Sequence, residues 1–160
     1  MNKKVLFITQ AAVIAALYVV LTYLAALLGL SSGVIQVRFS EALTILPYFI
    51  SSAVPGVAIG CLLANFLTGC AALDIVFGTI ATLIGGIGSY LLRKNKWLIP
   101  LPPIIANTII VPWVLQTAYG VEDAYWYLML TVGAGEVISC YVLGMVLLFA
   151  LDKHKKTIFR

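Results

Sequence analysis

Arg38, Glu41, Asn65, Asp74, Asn107 and Glu136 are polar side chains set inside or at the edges of long apolar runs, in a chain that is 62% hydrophobic and only 10% charged. The carboxylates can accept hydrogen bonds or neutralise a cation, the guanidinium donates through a planar fork, and each amide does both. A charge in hydrocarbon is costly enough that such residues default to functional candidates. Arg38 and Glu41 lie three residues apart in Ile35-Gln36-Val37-Arg38-Phe39-Ser40-Glu41-Ala42-Leu43-Thr44-Ile45-Leu46-Pro47. With Ile45 and Tyr48 they fall on one face of a helix. An ion pair between the two, with the arginine reaching toward headgroups, would account for them as well as ligand binding would.

The elements that position these groups follow from composition. A mean hydropathy of +1.09 over 160 residues predicts a polytopic, all-α membrane protein forming one domain, 1–160. The apolar part of the first stretch, Val5–Leu30, is far longer than a signal-peptide core and reads as an uncleaved helix. Cys61, Cys70 and Cys140 are scattered and form no Cys-x-x-Cys pair, which argues against a disulfide framework or a structural zinc site.

Every lysine and every arginine but Arg38 lies in one of three places: Lys3 and Lys4, the turn Arg93-Lys94-Asn95-Lys96, and the tail from Lys153 onward. The positive-inside rule puts all three in the cytoplasm, so an even number of spans separates each from the next. Val5–Leu30 and Leu73–Leu92 are one span each, so Phe39–Thr68 must supply two short ones, with a turn at Pro55-Gly56. Leu98–Tyr119 and Ala124–Leu151 complete six spans with both termini cytoplasmic. Pro100, Pro102 and Pro103 fall in opening helical turns, where proline costs little, and Pro112 predicts a kink. The outer connections are then Ser31–Val37, Gly69–Ala72 and Gly120–Asp123, which bring Gln36, Arg38, Glu41, Asp74, Glu122 and Asp123 to the outer side.

In this frame Asp74 opens the fourth span, where capping alone would justify a carboxylate. Glu136 lies about 18 Å into the sixth by helical rise, deeper than topology requires. Asn65 and Asn107 suit either interhelical hydrogen bonding or ligand contact. Of the outer aromatics Trp113, Tyr119, Tyr125, Trp126 and Tyr127, most fit an interfacial belt, and the deeper Trp113 is the candidate to stack on a flat ligand. Ala11-x-x-x-Ala15, Ala12-x-x-x-Ala16 and Gly56-x-x-x-Gly60 allow close helix approach. No phosphate-binding Gly-x-x-x-x-Gly-Lys-Ser/Thr loop is present. The only histidine, His154, is in the tail, so no Ser-His dyad or multi-histidine metal site can form within the membrane. Nothing requires a cofactor, and the basic tail reads as an orientation signal rather than a nucleic-acid patch.

The block Gln36–Pro47, with Gly60-Cys61-Leu62-Leu63-Ala64-Asn65, Asp74-Ile75-Val76-Phe77-Gly78-Thr79-Ile80-Ala81-Thr82-Leu83 and Gly135-Glu136, resembles the QueT family. The resemblance implies a substrate-binding S component of an energy-coupling factor (ECF) importer in a bacterial plasma membrane. Such a protein is a six-helix bundle that captures a queuosine precursor from outside and docks on a transmembrane coupling subunit driven by two ATPases. It also implies docking through an Ala-x-x-x-Ala face of the first helix, here Ala11/Ala15 or Ala12/Ala16. The implied ligand is a 7-deazaguanine, the aminomethyl or cyano precursor or queuine, for which Arg38, Glu41, Asn65, Asp74, Asn107, Trp113 and Glu136 supply complementary groups. Two other readings remain open. One is a self-sufficient secondary transporter with Glu136 and Asp74 relaying protons; the other is an intramembrane enzyme using those two carboxylates.

Overall fold

The computed structural model describes residues 2–31 and 35–158, and within them every regular element is helical. In chain order these are α1 (Lys3–Leu27), a 3-10 helix (Phe39–Tyr48), α2 (Ala53–Leu67), α3 (Ala72–Leu91), a 3-10 turn (Lys96–Leu98), α4 (Leu101–Tyr119), and α5 (Tyr125–Glu136). A π-helical stretch (Val137–Leu143) joins α5 to α6 (Gly144–Asp152), and a last turn, α7, spans Lys155–Ile158. Four helical stretches are long and apolar enough to cross a membrane: Lys3–Leu27, Ala72–Leu91, Lys96–Tyr119 and the continuous Tyr125–Asp152.

The region expected to hold two short spans does contain two short helices, and the first is unusual. Ten residues of 3-10 helix rise about 20 Å, too little to cross hydrocarbon alone. Its residues from Ser40 to Pro47 are all buried, and it packs against α1, α2, α3, the π stretch and α6. Irregular backbone at membrane depth is tolerated when protein covers it, and this element is covered on every side. Local chemistry favours the tighter winding: Pro47 has no N–H to donate, and the Thr44 hydroxyl bonds the Glu41 carbonyl at 2.6 Å. At three residues per turn, the face expected of Arg38, Glu41, Ile45 and Tyr48 breaks up. Ile45 enters the hydrophobic core with Tyr18, Val57 and Leu148, while the Tyr48 ring turns toward Lys96 Nζ, 5.9 Å away.

The turn that follows is also displaced from expectation. It falls at residues 50–52, and Pro55 and Gly56 lie in the first turn of α2, where a missing N–H is cheap. Gly56 is used for close approach instead: a Cβ there would lie 3.0 Å from the Ala11 carbonyl. Gly60 works likewise, since a Cβ would lie 2.6 Å from Tyr18 Cβ and 3.1 Å from Ala15 Cα. Thus Ala11 and Ala15 are buried against α2, and Ala12 and Ala16 remain exposed on the opposite side of α1.

One end of the bundle gathers the basic segments. Asp152 pairs with Lys96 at 2.7 Å and with Lys155 at 3.2 Å, and Ser52 Oγ lies 2.8 Å from Gln10 Oε1 near the start of α1. Here α3 is fastened to the following turn by the buried Ser89 hydroxyl, which donates to the Ile99 carbonyl at 2.7 Å. Ser89→Ala leaves that carbonyl without its partner, and a stability loss of about 1 kcal/mol is expected in thermal unfolding of the detergent-solubilised protein.

Candidate functional site

The other end holds the connections expected outside, although residues 32–34 of the first lie outside the described residues. Gly29 and Gly120, at φ 73 and 65, stop α1 and α4 in the left-handed conformation that glycine adopts freely. Between these helix ends lies a cavity of about 410 Å³, whose lining includes Gln36, Arg38, Asn65, Asp74 and Tyr119. Its volume lies within the ordinary range for small-molecule sites.

Asp74 sits in the first turn of α3, but the N-cap is Ala71, and no side chain caps the helix. The carboxylate instead accepts the Tyr119 hydroxyl at 2.8 Å, and that hydroxyl accepts the Ala71 N–H at 3.1 Å. Gly78, one turn further along α3, leaves room for two side chains at once: a Cβ there would lie 3.0 Å from Asn65 Nδ2 and 3.4 Å from Asp74 Oδ1. The amide of α2 and the carboxylate of α3 are therefore neighbours over a bare patch of backbone.

Arg38 reaches the cavity from the extended segment before the 3-10 helix, held by its own N–H, which donates to Ser139 Oγ at 3.0 Å. The ion pair with Glu41, one of the two readings of these residues, is not formed. Arg38 lies within electrostatic range of Glu41 and Asp74, yet among the described residues the ion pairs are those of Asp152 with Lys96 and Lys155. Its guanidinium makes no hydrogen bond to a described residue, so its donors remain available to the cavity.

Glu41 is placed deeper than the rim position expected from topology. The inward run of the 3-10 helix carries it to 1% exposure, where it accepts the Tyr18 hydroxyl. Glu136, at the end of α5, joins it: oxygens of the two carboxylates and Cys140 Sγ lie within 4.8 Å of one another. The Cys140 thiol donates to Glu136 at 3.3 Å. The π stretch begins one residue after Glu136 and carries both Ser139, which accepts the Arg38 N–H, and Cys140, one turn on from Glu136. Asn107, on α4, is buried beside Glu136. Gly135 is required here because the Gln36 carbonyl occupies the space of a side chain. The Gln36 segment thus lies directly on α5 and separates the cavity from a second one of about 410 Å³, bordered by Asp123, Tyr127 and Thr131.

Of the residues expected to form a site, Arg38, Asn65 and Asp74 meet around this cavity, and Glu41, Asn107 and Glu136 gather in a more buried group. Trp113 joins neither group. It is 41% exposed on α4 and packs edge-on against Phe77, ring centroids 4.8 Å apart. Tyr119, assigned from sequence to the interfacial belt, is the aromatic residue that reaches the cavity. Its position immediately before Gly120, a helix-stopping residue, marks it as a helix end, but its partner Asp74 comes from a different helix and leaves no local trace. The cavity so assembled offers a donor fork, an amide, a carboxylate and a phenol, a set matched to the edges of a planar heterocycle.

A 38% identical stretch of 83 residues relates the chain to the "Queuosine precursor transporter QueT" of Lactococcus lactis subsp. cremoris (strain MG1363), covering 52% of this chain and 48% of that protein. The match therefore spans about half the length of that curated relative. No solved structure matches the chain. The model of the QueT transporter family, by contrast, matches residues 8–153, nearly the whole bundle with both groups of polar residues, and the chain belongs to that family.

Proposed function

We propose that the chain is the substrate-capture S component of an ECF-type importer, and that the outer cavity binds a 7-deazaguanine precursor of queuosine. The observation that carries this reading is the unpaired Arg38 guanidinium sharing one cavity with Asn65, Asp74 and Tyr119. A deazaguanine ring presents a carbonyl acceptor to the arginine, N–H donors to the carboxylate and amide, and a flat face to the phenol. That the Lactococcus lactis relative is named a queuosine precursor transporter supports this choice of ligand class.

The chain crosses a bacterial plasma membrane six times, the 3-10 helix with the extended segment before it and α2 being the short pair, and both termini face the cytoplasm. The gathering of Lys96, Asp152 and Lys155 at the end opposite the cavity supports that orientation through the positive-inside rule. Because Ala11 and Ala15 are packed against α2, the face that meets the coupling subunit is Ala12 and Ala16, and two ATPases supply the energy.

Reconstitution in proteoliposomes tests the division of labour. The chain alone should bind the precursor without accumulating it, and accumulation should appear when coupling subunit, ATPases and ATP are added. Ala12→Leu with Ala16→Leu should reduce that accumulation severalfold while binding persists. Accumulation by the chain alone under a proton gradient would instead establish a secondary transporter.

A further inference from the structure

The two cavities at this end of the bundle meet at a common wall. The second, about 410 Å³ in volume, shares Gln36, Leu115 and Val121 with the first, so the partition between them is one layer of side chains. The polar floor of the first cavity is buried, Asn65 and Asp74 being 3% and 7% exposed. The second carries exposed groups instead, the Asp123 carboxylate and the Tyr127 phenol, with the Thr131 hydroxyl beside them. The turn that brings Asp123 there is tied to the end of α4 by main-chain atoms. The Val121 N–H donates to the Leu115 carbonyl at 3.2 Å, and the Asp123 carbonyl accepts the Gln116 side-chain amide at 2.9 Å. Those bonds leave the Asp123 carboxylate to the cavity.

The backbone of the partition is fixed at three consecutive residues. The Gln36 carbonyl fills the space over Gly135, the Val37 N–H donates to the Leu30 carbonyl at 3.0 Å, and the Arg38 N–H donates to Ser139 Oγ at 3.0 Å. Lifting that segment would break both hydrogen bonds and the close packing on α5, which is costly. The Gln36, Leu115 and Val121 side chains are only half-buried and can change rotamer with the backbone in place. Movement between the cavities therefore needs side-chain rotation rather than displacement of the chain. The second cavity also repeats the chemistry of the first in weaker form. A phenol face, a carboxylate, a hydroxyl and an amide suit a planar ring with N–H donors, but no guanidinium lines it, and hydrogen bonds to exposed groups compete with water.

We propose that the second cavity is an access site, which holds a planar N–H-bearing heterocycle weakly and passes it to the first past the Gln36, Leu115 and Val121 side chains. This rests on the reading of the first cavity as a 7-deazaguanine site and adds the route into it. Titration of 3-fluorotyrosine-labelled protein with 7-deazaguanine tests it by fluorine NMR, the Tyr127 resonance being assigned by its loss from Tyr127→Phe. A stoichiometric event should be followed by a second, weaker one that shifts Tyr127. Stopped-flow binding to Val132→Trp and Thr131→Phe, which fill the second cavity from neighbouring positions, tests the passage. Association and dissociation rates should fall together about tenfold, because a raised barrier slows both directions alike, and Kd should stay within about twofold of wild type. Absence of the second event in the wild-type chain would overturn the access site and leave the precursor reading standing, and that result needs no variant to fold. Unchanged rates in the filled variants would place entry elsewhere, and a Kd raised about tenfold would make the second cavity part of the holding site; either overturns the proposal. Failure of the stoichiometric event itself would overturn both readings.

Discussion

Arg38→Gln should weaken binding of a 7-deazaguanine about a hundredfold, the largest effect expected of any single cavity substitution. The guanidinium has no ion-pair partner among the described residues, so little of its capacity is spent inside the protein. A hydrogen bond involving a charged group is worth about 1.5–3 kcal/mol, which at 1.4 kcal/mol per decade gives ten- to more than a hundredfold in affinity. Glutamine keeps part of the length and polarity but neither the charge nor the fork. Trp113→Ala is the matched control: that ring contacts Phe77 outside the cavity, and affinity should change less than twofold. Equilibrium binding to the purified variants measures both, and an Arg38→Gln protein with wild-type affinity would remove Arg38 from the site.

The second large effect concerns two adjacent glycines of α3. A Cβ on Gly85 would lie 2.7 Å from Pro103 Cα and 3.1 Å from Pro103 N, both backbone atoms of α4 that a rotamer change cannot move. Gly85→Ala should therefore cost about 1–3 kcal/mol through overpacking. At Gly86 the nearest atom would be Val57 Cγ2 at 3.5 Å, an ordinary contact. Gly86→Ala should be neutral or stabilising by up to about 1 kcal/mol, because alanine loses less backbone freedom in a helix. Thermal unfolding of the two variants in the same detergent separates them, and equal midpoints would contradict the close packing of α3 on α4.

The ease of reading this sequence varied with how local each determinant is. The long helices follow from runs of apolar residues, and Gly120 and Pro102-Pro103 mark their boundaries within a few residues. The even number of spans required between basic clusters predicted two short helices in Phe39–Thr68, and the observed elements are Phe39–Tyr48 and Ala53–Leu67. The winding of the first was not legible, because it depends on burial by five neighbouring elements and on Thr44 bonding the Glu41 carbonyl. That winding carried Glu41 from the expected rim to the side of Glu136, while Arg38 stays in the extended segment before the helix and forms no ion pair with it. Trp113 failed for a related reason: depth along a helix can be counted from sequence, but the direction a side chain faces depends on which neighbour packs there, here Phe77. Tyr119 was hidden among belt aromatics because its partner Asp74 lies forty-five residues away. The two alanine faces of α1 were equivalent in sequence until Gly56 and Gly60 took Ala11 and Ala15.

Most directly at stake is whether the cavity lined by Arg38, Asn65 and Asp74 holds a 7-deazaguanine. The decisive measurement is mass spectrometry of small molecules released on denaturing the protein after incubation with a mixture of purines, 7-deazaguanines and vitamins and removal of unbound compound. A 7-deazaguanine released near one per chain from wild type, and lost from Arg38→Gln, is the predicted result. Release of a compound lacking that ring, or equal release from both proteins, would contradict it.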